Sequence, residues 1–305
     1  MLARRFQLHA VIGRGAGTTV YRASRVGGAG TVAVKVLDAD TPPPGILARL
    51  RDEARITAAL SDIPTFVRAE PPARLAGRWV VILELVPGNT AYSLLRHGPF
   101  PLAAAAELVG DVAAALAAAW DHPGPGGPIR LLHRDLKPGN LQVTPDGRVR
   151  ILDLGIASAA LPDRESGTGA IEIGTLGYLA PERRRGHSAP EGDVFALGVV
   201  LGVLVTAVFP TRTPSRPAAP DHALMALAAE MQAEAPADRP MMAEVARRAR
   251  ALAGDLPGPD LATWARKYVR DHEAVDARCG EVWSEDAWCT RLLARFRLPR
   301  EPARG

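Results

Sequence analysis

His133-Arg134-Asp135-Leu136-Lys137-Pro138-Gly139-Asn140 is the stretch on which the reading of this chain turns. Asp153-Leu154-Gly155 follows it across two short runs, 141–144 and 148–152, that flank Pro145-Asp146-Gly147. Pro-Asp-Gly between such runs predicts a hairpin, since proline presets φ and glycine supplies the positive φ of a tight turn. The hairpin would carry the chain from Asn140 back to Asp153. A carboxylate, an ammonium, a carboxamide and a second carboxylate then converge. Oxygen donors at 140 and 153 suit Mg²⁺ or Mn²⁺ better than zinc, and Asp135 can accept a hydroxyl proton.

Working outward, Ile12-Gly13-Arg14-Gly15-Ala16-Gly17-Thr18-Thr19-Val20 joins two strand-like runs, Phe6 to Val11 and Val20 to Ala23. Glycines let backbone N–H groups approach phosphate oxygens without a clashing Cβ. Taken alone, such a loop reads equally well as a flexible hairpin. Val32, Val34 and Val36 then alternate with Ala33, Lys35 and Leu37, a third strand. The chain has three lysines, Lys35, Lys137 and Lys267, and arginine supplies every other basic side chain. Two of the three stand where a compact ammonium is needed beside phosphates.

In this order the motifs resemble the eukaryotic-like (Hanks-type) bacterial serine/threonine protein kinases, nearly end to end. The series runs from the glycine loop through Val32-Ala33-Val34-Lys35, Glu53, the 133–140 loop and Asp153 to Ala180-Pro181-Glu182, Asp193 and Asp238-Arg239-Pro240. The resemblance implies an α+β, bilobal protein-kinase fold. A strand-rich N-lobe with one helix would span 1–84, a hinge and mainly helical C-lobe 85–254. A helical C-terminal extension, 255–305, would pack on the C-lobe.

It also implies roles. Asp135 would be the general base, with Lys137 beside the moving phosphoryl group. Lys35 would reach the α- and β-phosphates, aimed by Glu53 because a buried ammonium needs a nearby anion. Asp52 is the competing carboxylate, expected to face solvent. Asn140 and Asp153 would hold Mg²⁺, with Mn²⁺ as an alternative. ATP would further meet Ile12, Gly13, Gly15, Gly17, Val20, Ala33 and Leu83, with Glu84 and Val86 contributing backbone groups to adenine. Thr18 departs from the pattern, standing where the third loop glycine belongs. His133 is expected to pack and bond to the backbone, and Arg134 to pair with a phosphate on the activation segment. Ser166 and Thr168 are the candidate phosphosites, ahead of Ser158. Glu182 and Arg239 would form a buried pair, and Asp193 would tie the central helix to the catalytic loop. Lys137 and Thr175 point to Ser or Thr as the acceptor on a protein substrate.

Helical periodicity places one helix at about 46–60, with Leu47, Leu50, Ala54 and Ala58 on one face, and another at 102–120. Residues 211–220 read as a proline-rich loop. Leu261, Trp264, Ala265, Tyr268 and Val269 give a helix with one aromatic face, and Trp288, Leu292, Leu293 and Phe296 suggest a second. These faces either pack on the larger lobe or dock a partner.

With 305 residues, 47% hydrophobic and 23% charged, the chain is globular. Its pI near 9.4 reflects a net charge of only +4 with no dense basic run, which argues against nucleic acid as a partner. Cys279 and Cys289 lack zinc spacing and are expected to be reduced thiols. The start of the chain lacks the apolar run of a secretion signal. The apolar stretch from Val194 to Phe209 is short for a bilayer and is assigned to the core. A cytoplasmic protein without a membrane anchor is expected. Two alternatives compete. A pseudokinase would bind nucleotide without efficient transfer, but such modules usually lose residues equivalent to Lys35, Asp135 or Asp153. A small-molecule phosphotransferase would typically lack Ala180-Pro181-Glu182.

Overall fold

The computed structural model describes residues 4–15, 17–28, 30–39, 45–124, 126–154, 173–210, 223–271 and 276–284. Contacts divide the chain into two compact units. One comprises Met1–Ala54, Arg68–Leu85 and Glu273–Gly305; the other comprises Arg55–Val67 and Val86–His272.

The first unit is a sheet with one helix. Its strands are β1 (Arg5–Gly15), β2 (Thr18–Arg25), β3 (Thr31–Leu37), β4 (Ala73–Leu75) and β5 (Arg78–Glu84), and its helix is the part of α1 (Ile46–Ala59) up to Ala54. A further strand, Asp276–Ser284 (β11), pairs antiparallel with β1 from Arg5↔Ser284 to Val11↔Asp276. The order is therefore β11-β1-β2-β3-β5-β4. Ala76, in the turn between β4 and β5, donates its N–H to the Ser284 carbonyl at 3.1 Å. That bond ties the two edge strands together, so the sheet curls around one face. Phe6, Leu8, Tyr21, Val32, Val34, Val36, Val80 and Ile82 are buried on that face. The alternation read from β3 is thus the alternation of the two faces of this sheet.

The second unit is mainly helical. It contains β6 (Asn89–Thr90), α2 (Ala91–Leu94), α3 (Leu102–Asp121), β7 (Pro123–Gly124), β8 (Gly127–Pro128), β9 (Leu141–Val143) and β10 (Val149–Ile151). Helices α4 (Pro181–Arg184), α5 (Pro190–Thr206), α6 (Ala223–Met231), α7 (Met242–Asp255) and α8 (Leu261–Tyr268) follow. Its core is built from α3, α5, α6 and α7 around Leu108, Val112, Leu197, Leu201, Leu227 and Val245. Helix α5 has no polar face, as befits a helix covered on all sides. It stops at Thr206, where Ala207 turns left-handed at φ 55°, so Val208 and Phe209 lie outside it and are exposed. Among the described residues one helix, α3, is long and apolar enough to cross a membrane by length and composition. Most of it is buried inside this unit.

Three expectations need correction. The extension is not helical throughout: α8 packs on α3, with the Leu261 N–H donating to Glu107 Oε2 at 2.8 Å, but 276–284 is a strand. A free edge on β1 offers a row of unpaired backbone groups, and these outcompete an isolated helix for that segment. The aromatic face of α8 is not a docking surface. Leu261, Trp264 and Ala265 are buried in their own unit, and Trp264 stacks 4.2 Å from Phe100. The buried stripe of α1 runs through Leu50, Glu53, Ala54, Ile56 and Thr57, while Ala58 is exposed. The second tail helix expected around Trp288–Phe296, the loop 211–220 and Cys289 lie outside the described residues, as does the side chain of Cys279.

Candidate active site

In the first unit the strand register decides which side chains share a face. Gly13 pairs with Val20, Val20 with Lys35, and Lys35 with Val81. Arg22 pairs with Ala33, and Ala33 with Leu83. Directly paired residues point to the same side, so Gly13, Val20, Ala33, Lys35 and Leu83 form one surface, opposite the buried core. Ile12 sits at the register shift between Val11 and Gly13. The β1–β2 hairpin is longer than expected, reaching Gly15 on one side and Thr18 on the other. Asp38 secures its turn: its N–H donates to the Gly17 carbonyl at 3.0 Å, and its Oδ1 accepts from the Thr19 hydroxyl at 2.9 Å.

Helix α1 covers this same surface, packing Leu50 against Leu37 and Val81. Glu53 lies one turn beyond Leu50 on the same face of the helix and is buried. Asp52, expected at the surface, is buried as well at 5% exposure. Glu84 ends β5, its N–H donating to the Arg68 carbonyl at 2.9 Å.

In the second unit the loop around 133–140 is held from below. Asp193, in the first turn of α5, accepts the N–H groups of His133 at 2.7 Å and Arg134 at 2.8 Å. Arg134 is left-handed at φ 69°, a conformation costing a non-glycine residue ~1–2 kcal/mol. Arg183 braces it by donating from Nη1 to its carbonyl at 2.7 Å. Burial pushes the Asp193 carboxyl above its ordinary value, against the pull of these donors. His133 is fully buried, and its Nδ1 accepts the Asp135 N–H at 3.3 Å. Desolvation holds its pKa below 6.5 despite the carboxylates of Asp193, Asp135 and Asp153, so the ring is neutral.

Asp135 carries two differently occupied oxygens. Oδ2 accepts from Asn140 Nδ2 at 3.0 Å and lies 2.9 Å from Lys137 Nζ. Oδ1 is buried and accepts no hydrogen bond among the described residues. A buried carboxylate oxygen without a donor is costly, and an incoming hydroxyl would relieve that cost. Asn140 Nδ2 also donates to the Asp135 carbonyl at 2.8 Å. With its N–H end turned to Asp135, the carboxamide keeps its oxygen for a cation.

The predicted hairpin forms. Leu141 pairs with Ile151, and the Leu152 N–H donates to the Asn140 carbonyl at 3.0 Å, which sets Asp153 next to Asn140. Gly147 turns it at φ 82°, and a Cβ there would lie 2.4 Å from the Ala262 Cα of α8. Asn140 and Asp153 both carry hard oxygen donors of the kind that suits a divalent ion.

Arg239 pairs with Glu182 through two bonds of 2.7 and 2.9 Å. Its remaining donors reach the carbonyls of Ala233, Glu191 and Glu234, so all five N–H groups are satisfied. Burial raises the Glu182 carboxyl, but the Arg239 hydrogen bonds and charge leave it below its ordinary value. Ser158, Ser166, Thr168 and Gly155 lie outside the described residues, as does the side chain of Thr175. Sequence reasoning missed Arg183 and Gln142. Gln142 is a buried amide on β9 that donates to the Val86 carbonyl at 2.6 Å. A glutamine within an otherwise apolar strand was the available signal.

Comparison with known proteins shows the family. Residues 6–261 match the protein kinase domain family. The serine/threonine-protein kinase PknL of Mycobacterium bovis is 34% identical over 209 residues, 68% of this chain and 50% of the relative. PknA of Mycobacterium tuberculosis is 36% identical over 208 residues, 65% of this chain and 46% of the relative. PknB of Mycobacterium leprae is 33% identical over 211 residues, 67% of this chain and 33% of the relative. The chain thus spans half or less of the length of these relatives.

Proposed function

Because the chain belongs to the protein kinase domain family, we propose that it transfers the γ-phosphoryl group of ATP to Ser or Thr hydroxyls of a protein in the cytoplasm. The observation that carries this reading is the Asp135 carboxylate. One oxygen is fixed by Asn140 and Lys137, and the other is buried with no donor. Such an oxygen can orient an acceptor hydroxyl and take its proton, worth ~10²–10⁴ in rate.

As the hydroxyl oxygen bonds to the γ-phosphorus, the bond to the β–γ bridging oxygen breaks and ADP leaves. Lys137, beside Asp135, compensates charge on the phosphoryl group in transit. In the first unit Lys35 pairs with the α- and β-phosphates, and Glu53 keeps it charged and aimed. Gly13, Gly15 and Gly17 bring backbone N–H groups to the phosphates, while Ile12, Val20, Ala33 and Leu83 offer apolar contact to the base. Glu84 and Val86 contribute backbone groups to adenine. Asn140 and Asp153 would hold Mg²⁺, which supplies charge neutralisation on the phosphate oxygens when bound.

Incubation of the full chain with labelled ATP, Mg²⁺ and a generic protein acceptor tests this, followed by phosphoamino-acid analysis. Label on Ser and Thr, abolished by Asp135→Asn, Lys35→Met and Asp153→Ala in variants with unchanged circular dichroism, is expected. Nucleotide binding without turnover would overturn the transfer reading in favour of a binding module. Undiminished activity in these variants would overturn the role assignments.

A further inference from the structure

Gln142 is 3% exposed in a strand whose neighbours, Leu141 and Val143, are apolar and fully buried. A buried carboxamide is unfavourable unless its polar atoms are satisfied. Its Nε2 donates to the Val86 carbonyl at 2.6 Å, and because that partner is an acceptor, the amide's orientation is unambiguous. Val86 is itself buried and is followed by Pro87, which has no N–H to offer a neighbour.

The chain from Val86 onward is clamped to β9 at three successive points. Gln142 holds the Val86 carbonyl. Gly88, at φ 111°, lies so close to β9 that a Cβ would sit 2.1 Å from the Val143 carbonyl oxygen. Asn89 and Thr90 pair with Val143 and Gln142. The last two anchors act on the backbone and tolerate most side chains at 142; the first needs a donor there. Asn140, two residues earlier, is held independently by Asp135. Disturbing the Val86 anchor therefore leaves the Asp135–Asn140 geometry in place.

Resting on the kinase reading, in which Val86 presents backbone to the nucleobase, we propose that Gln142 is a positioning residue for nucleotide binding. It acts through Val86: the amide fixes the orientation of the Val86–Pro87 peptide, so the segment is ordered before nucleotide arrives. Ordering that segment in advance spares the complex that cost. Loss of the donor lowers affinity for the nucleotide and leaves the transfer step nearly untouched.

The test is calorimetric titration of the full chain with Mg-ADP, alongside steady-state kinetics. Gln142→Met, of similar volume and without a donor, is expected to weaken ADP binding and raise KM for ATP about three- to tenfold, the worth of one hydrogen bond. Its kcat should stay within about twofold, since Asp135 and Asn140 keep their mutual contacts. In Gln142→Glu a carboxylate would face the Val86 carbonyl, and binding should weaken further. A purely structural role would lower the melting temperature of both variants without splitting KM from kcat. Unchanged ADP affinity in folded Gln142→Met or Gln142→Glu overturns the inference. Wild-type protein that binds ADP but transfers nothing would refute the kinase activity alone, while the binding comparison still decides Gln142. Failure of wild type to bind adenine nucleotide at all would overturn both.

Discussion

Asp193, in the first turn of α5, accepts the backbone N–H groups of both His133 and Arg134, at 2.7 and 2.8 Å, across sixty residues of sequence. One side chain thus sets the height and tilt of the loop that bears Asp135. In Asp193→Ala two N–H groups are left at a site with little access to water, at a cost of ~1–3 kcal/mol each. Thermal melting should fall accordingly, and phosphotransfer should fall further than the melting shift explains. Retained activity at a temperature where the variant is folded would count against the positioning role.

Arg239 uses every one of its five donors and lies 5.0 Å above the Phe195 ring. Lysine has no planar fork to reproduce that set. Arg239→Lys and Arg239→Ala are expected to destabilise the second unit by about 3–5 kcal/mol, as when one partner of a buried pair is removed. Urea denaturation would measure it, and a cycle with Glu182→Gln should show the two losses to be far from additive.

His133 makes acid stability a specific prediction. Burial holds its pKa below the ordinary 6.5, so the unfolded chain binds a proton that the folded one refuses. Its contribution is complete above 6.5 and declines as pH falls toward the depressed folded value. Between pH 7.5 and 5.5 this contribution should fall. Urea midpoints should therefore drop more for wild type than for His133→Asn between the two pH values, and an identical pH response in both would sink the assignment.

Trp264 stacks on Phe100 and Tyr268 at centroid distances of 4.2 and 5.3 Å, in a helix that starts where the family match ends. Trp264→Ala should cost about 3–5 kcal/mol, the usual penalty for an emptied aromatic site. Differential scanning calorimetry of the variant would show whether the second unit depends on α8 to that extent.

The pairing of β11 with β1 predicts slow hydrogen exchange on both edges of β1, from Arg5 to Val11. Val282→Pro, which removes a donor and stiffens β11, should release the β11-facing amides of β1 while those bonded to β2 stay protected. Uniform exchange along β1 in wild type would show that the pairing does not persist in solution.

The hairpin returning to Asp153, the alternation in β3 and the aromatic face of α8 were all legible, because each is written in local spacing. Strand 276–284 was not read, although Ala277, Cys279 and Trp283 keep a two-residue spacing compatible with a strand. Whether such a segment becomes strand or helix depends on β1, some 270 residues away, offering an open edge. The burial of Asp52 had no local signal, and Gln142 in an otherwise apolar strand pointed to a buried amide without naming Val86 as its partner.

Chemistry-bearing residue types and their order were determined by the sequence alone, since hard ligands, an ammonium and a turn dictated by Pro-Asp-Gly need no partner to be recognised. Only the tertiary structure decided that Asp135 keeps one oxygen buried without a donor, that Asp193 holds the loop beneath it, and that the chain's last described strand completes its first sheet. Those outcomes depend on hydrogen-bond partners far apart in the chain, and their pairing is settled by which buried polar groups would otherwise be left unsatisfied.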